Sequence, residues 1–136
     1  MIIPNDTTIA VVDGTRFRMF RNRGVEPQIQ LVELAQPEVD VRNQGSGGRH
    51  HSGSANPDDS RIEEDNFAAA VAGFLNRQAL DGKIEGLFVI ADPRTLGELR
   101  RHYHKTVEAK LIGELAKDLT GEAISAIENA LVKSDS

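Results

Sequence analysis

The chain contains no cysteine and no tryptophan. Without cysteine there is no disulfide framework, no thiolate metal site and no cysteine nucleophile. Aromatic residues are 4% of the total, five phenylalanines and one tyrosine, so the core must be aliphatic and fairly small. No stretch approaches the roughly 18 apolar residues of a membrane span. The start, MIIPNDTT, shows no positive segment followed by an apolar one, so no secretory signal is read there. A cytoplasmic location without membrane contact is expected. The 136 residues suit one domain over 1–136. Acids outnumber Lys and Arg by 21 to 16, a net charge of −5. That balance argues against a protein-wide nucleic-acid footprint while leaving room for a local basic patch.

Residues 7–13 (TTIAVVD) are β-branched and apolar, the mark of a buried strand, and Asp13-Gly14 signals a hairpin turn. The next run alternates, with Phe17, Met19 and Phe20 grouped on one side and Arg16 and Arg18 on the other. After a turn from Asn22 to Pro27, a third alternating run sets Ile29, Leu31 and Glu33 against Gln28, Val32 and Leu34. An antiparallel three-stranded meander is expected. Residues 36–60 then break the pattern with four Gly, four Ser and two Pro. Such a composition predicts a flexible loop, because it offers little apolar surface to offset the entropy of ordering.

Helical spacing is expected from about Ser60, where Ser60 and Glu63 have capping-box spacing and Asp58, Asp59, Glu63, Glu64 and Asp65 suit the positive end of the helix dipole. Phe67, Val71, Phe74 and Leu75 form its apolar stripe, and Gly82 closes it. Gly86–Ala91 (GLFVIA) reads as a central strand. Asp92 and Pro93 then open a helix along which Leu96, Leu99, Tyr103 and Val107 recur. A strand near 109–117 follows. A last helix, Gly121–Val132, turns Ile124, Ile127 and Leu131 inward. The order β-β-β-loop-α-β-α-β-α predicts an α/β fold, a mixed sheet of about five strands flanked by helices. Phe67, Val71, Phe74, Val89, Leu96 and Leu99 are expected to be buried.

This order, with ADPRTLGELRRHY at 91–103 and ELAKDLTGEAISAIENAL at 114–131, resembles the bacterial host-attachment protein family, whose members carry the label "protein required for attachment to host cells". The matching pieces are a first strand ending in Asp13, Phe67-Ala68, Leu96-Gly97-x-Leu99-Arg100 and Lys117-Asp118-Leu119-Thr120. That family is in turn similar to the middle domain of archaeal and eukaryotic peptide release factors, which implies a ribonuclease-H-like fold. In those factors a Gly-Gly-Gln loop joins the third strand to the long helix. The corresponding segment here is NQGSGGRHHSGS, with Gly47-Gly48-Arg49 where the tripeptide would lie. Arg49 cannot reproduce the glutamine's accepting role, since a guanidinium only donates, but it suits a phosphate.

The leading expectation is therefore a non-catalytic, release-factor-like domain that binds RNA or the ribosome. Its candidate RNA contacts are Gly45, Gly47, Gly48, Arg49, Arg100 and Arg101. Clustered positive charge supports this: Arg94, Arg100, Arg101 and Lys105 in one segment, and Arg16, Arg18, Arg21 and Arg23 along the second strand. The alternatives are a hydrolase of RNA or of an aminoacyl or peptidyl ester using the 44–51 loop, and a host-cell attachment factor. No cofactor and no metal are expected. His102 and His104, two apart, should diverge, and His50-His51 read as exposed loop residues. No serine stands in a GxSxG context, and Asp13 is the sole strand-end acid to suggest a nuclease.

Overall fold

The computed structural model describes residues 2–39 and 57–134. Five strands, β1 (Thr8–Val12), β2 (Phe17–Asn22), β3 (Leu31–Glu33), β4 (Leu87–Ala91) and β5 (Leu111–Ala116), form one sheet in the order β3-β2-β1-β4-β5. The first three pair antiparallel, whereas β1, β4 and β5 run parallel. Among the described residues the helices are α1 (Pro57–Leu80), α2 (Pro93–Arg100), α3 (Lys105–Lys110) and α4 (Ile124–Lys133). The α/β class and mixed five-stranded sheet are those expected from the sequence.

β1 and β4 are buried along their whole length, and apart from Thr8 apolar, because both of their faces are covered. Ala10, Val12, Leu87, Val89 and Ala91 face Ala68, Val71, Ala72 and Leu75 of α1, together with Leu96, Leu99 and Val107 from α2 and α3. Ile9, Val11, Phe88 and Ile90 point the other way, toward Ile127 and Leu131 of α4. The alanines of α1 let it lie close on the sheet, so a core with few aromatics still fills.

Several boundaries differ from expectation. Phe20 does not share a face with Phe17 and Met19. Strict two-residue alternation turns it to the α4 side, where the Arg18 guanidinium lies 5.0 Å above its ring. Helix α1 starts at Pro57, before Ser60, since proline needs no N–H partner in a first turn. Its other end closes at Gly82, with φ of 74°, through bonds from Gly82 N to Ala79 O and Lys83 N to Gln78 O. Phe67 and Phe74 are only partly buried, while Val71, Val89, Leu96 and Leu99 are buried as expected.

The single helix expected after Asp92 is two. Asp92 caps α2 by accepting from Thr95 N at 3.2 Å, but the chain leaves the helix at Arg101. Buried Asn76 of α1 then bonds both sides of the break, donating to His102 O at 3.0 Å and accepting from His104 N at 2.9 Å. α4 begins at Ile124 because the preceding carbonyls of Thr120 and Glu122 are turned toward Arg18. In the 36–60 stretch, Gln36 donates to Phe17 O and Val39 packs on the core, so its first residues are anchored. Residues 40–56, on which the expected mobility and the Gly-Gly-Arg tripeptide fall, lie outside the described residues.

Candidate functional site

The carboxyl ends of β1 and β4 stand side by side, since Val12 is in register with Ala91. Ligands of open α/β sheets bind outside such ends. The first residue beyond β1 is Asp13. Its Oδ1 accepts from the backbone N–H of Thr15 at 2.8 Å and of Arg16 at 2.6 Å, the local turn that an Asp-Gly pair favours. Oδ2 accepts from the Arg16 guanidinium at 2.9 Å and from the Thr120 hydroxyl at 2.6 Å. Burial pushes this carboxyl's pKa up, but the Thr120 hydroxyl, the two amides and the guanidinium outweigh it. The net result is about 2. A carboxylate so firmly ionised and so fully engaged is a fastener, not a general base.

Beside it a cleft of about 430 Å³ is lined by Thr15, Arg16, Arg18, Gln36, Val39 and Phe67. Arg18 crosses its edge, bound to both Glu33 carboxylate oxygens and to the carbonyls of Thr120 and Glu122. The cleft lies where the chain enters residues 40–56 at one end, next to Val39. Gly45, Gly47, Gly48 and Arg49 belong to that segment and lie outside the described residues.

The expected basic surface is largely neutralised. Arg16 pairs with Asp13, Arg18 with Glu33, Arg23 with Asp6 and Arg94 with Asp65. Arg100 engages Glu114 of β5 through Nε at 3.0 Å and Nη2 at 2.6 Å. Arg101 is freer, 74% exposed and 3.6 Å from Glu98. His102 also reaches Glu98, at 3.4 Å. His102 and His104 both border a smaller groove against α1, together with Arg77. Among the described residues no group of three His, Asp or Glu stands together to hold a metal. Nor is any described helix long and apolar enough to cross a membrane.

The sequence model of bacterial archaeo-eukaryotic release factor family 12 matches residues 6–131, nearly the whole chain. The chain belongs to that family. A comparison with curated proteins gives no match. In this family 12 member the most recognisable residues prove to be those that hold the fold. Asp13 and Thr120 clamp two loops, Leu96 and Leu99 fill the core, and Arg100 ties α2 to β5. Sequence reading missed the Thr120–Asp13 clamp, since 107 positions separate the partners. It also missed Asn76 and Arg77, for which an asparagine amid apolar helix positions was the only signal.

Proposed function

We infer that this release-factor-like domain binds RNA of the translation machinery without hydrolysing it. The family match over residues 6–131 is the observation that carries the reading. Two features support it. Val39, the last described residue before the stretch that holds Gly45, Gly47, Gly48 and Arg49, lines the cleft with Arg16 and Arg18, and paired glycines allow a backbone to approach an RNA end closely. Arg101 keeps most of its guanidinium in solvent, able to meet a phosphate, while Arg100 contributes from beside its Glu114 partner.

Arg49 argues against ester hydrolysis, because it accepts no hydrogen bond with which to orient a water. Glu33, the acid in the cleft's lining, is bound by Arg18, and Asp13 beside the cleft is already fully engaged. The test is ribosome co-sedimentation and peptide release from ribosome-bound peptidyl-tRNA, using wild type, Arg49→Gln and a deletion of the 44–51 segment. Binding that is lost on deletion, with no turnover by wild type, is the expected result. Robust turnover that vanishes on deletion would establish the hydrolase instead.

A further inference from the structure

The groove between α1 and the link from α2 to α3 is separate from the cleft at the strand ends. It encloses about 270 Å³, below the usual ligand-pocket range of roughly 300–1,000 Å³ but ample for a phosphodiester and its ribose. Its floor is small, Ala69 and Gly73, and its rim carries Arg77, His102 and His104, with exposed Leu80 at one end. Among the described residues neither Arg77 nor His104 has a carboxylate partner. At the link, Glu98 is shared between His102 and Arg101. The groove's lining thus holds a guanidinium and two imidazoles and no carboxylate, in a protein whose net charge is −5.

The arrangement is also held in advance. Asn76, one residue before Arg77, is 4% exposed and fastens the backbone at both His102 and His104. This fixes two imidazole-bearing residues over the same helix turn as the guanidinium. A groove floored by Gly and Ala, rimmed by donors and braced by a buried amide suits a backbone phosphate, with Leu80 offering an apolar surface to the attached nucleoside.

We propose that this groove is a phosphodiester-binding subsite for single-stranded RNA, in which Arg77, His102 and His104 donate to the phosphate. The proposal rests on the RNA-binding reading above and locates a contact outside the 44–51 segment. It is tested by fluorescence anisotropy of a short labelled single-stranded RNA with the full chain, at two salt concentrations. The variants are Arg77→Gln, His102→Gln with His104→Gln, all three together, and Lys117→Gln as an exposed basic control.

The triple variant should bind about tenfold or more weakly, the loss expected when hydrogen bonds to a charged group disappear. Its salt dependence should flatten by about 0.7 in logarithmic slope for each phosphate that is no longer neutralised. Thermal unfolding should be unchanged, because all three side chains are exposed and Asn76 remains. Wild-type affinity in the triple variant, or an equal loss in Lys117→Gln, would overturn the subsite while leaving RNA binding intact. Equal binding of an acidic peptide, abolished in the same variants, would overturn it in favour of a protein partner. A wild type that binds neither this RNA nor ribosomes would overturn the underlying reading, and the subsite with it.

Discussion

A carboxyl group at the end of β1 holds two separate pieces of chain in place. Asp13 shapes its own turn through Thr15 and Arg16, then joins the loop before α4 through Thr120. Its pKa of about 2 lies below the ordinary carboxylate value of 3.8, so protons favour the unfolded state. The resulting stability, roughly 2 kcal/mol by linkage, is complete above about pH 4 and is lost as the pH falls through 2. Thr120→Val removes one donor and should cost about 1–2 kcal/mol at neutral pH. It should also raise the Asp13 pKa. Urea unfolding at neutral pH and near pH 2 checks both: the variant's deficit should shrink at the acid end, and a deficit independent of pH would contradict the clamp. Phe74 offers a second test at this scale. It is half-buried and meets Phe17 edge-on, with ring centroids 5.7 Å apart. Phe74→Ala should therefore cost about 1.5–3 kcal/mol, short of the roughly 3–5 of a fully buried ring, as measured by urea unfolding.

Elements were legible where a local rule decided them. The Asp-Gly turn, the apolar run of β4, the Asp92 cap with Pro93 and the Gly82 stop all follow from neighbouring residues, and each is present. The elements that departed were set by partners far along the chain. Leu96, Leu99, Tyr103 and Val107 keep helical spacing because α2 and α3 press on the same helix, yet a side chain on α1 breaks the run between them. No window of sequence around His102 contains that information. Neither could it show that Arg100 faces a glutamate on the next strand. Asn76→Leu should accordingly act on the break more than on the helices. The cost should be about 1–3 kcal/mol for leaving the link's carbonyl and amide unpaired. Amide exchange at His104 should accelerate well beyond that at Leu99, and uniform acceleration along α2 and α3 would show that the brace is not local. Gly24 tests a turn in the same way. A methyl group there would sit 2.5 Å from the backbone oxygen of Gln28, so Gly24→Ala should lower the midpoint of thermal unfolding through strain that no side-chain shift relieves.

On the scale of the whole molecule, an acidic protein that binds RNA must do so through a few placed cations rather than a field. Among the described residues, Arg16, Arg18, Arg23, Arg94 and Arg100 already have carboxylate partners, at Asp13, Glu33, Asp6, Asp65 and Glu114. Those pairs lower the number of phosphates the surface can neutralise. The net charge of −5 repels RNA at distances beyond the local groups. Both effects predict shallow salt dependence. If phosphates are met only by Arg101 and by Arg77 with the two histidines of the link, two phosphates are neutralised and the logarithmic slope against salt should be about −1.4, at about −0.7 per phosphate on a single strand. A broad basic footprint would give a far steeper line. Anisotropy of a single-stranded RNA across a salt series measures the slope directly. Repeating it with the 44–51 segment deleted separates the two regions: a slope shallower by about 0.7 would assign Arg49 a phosphate of its own. An unchanged slope would leave the groove on α1 as the place where the charge is exchanged.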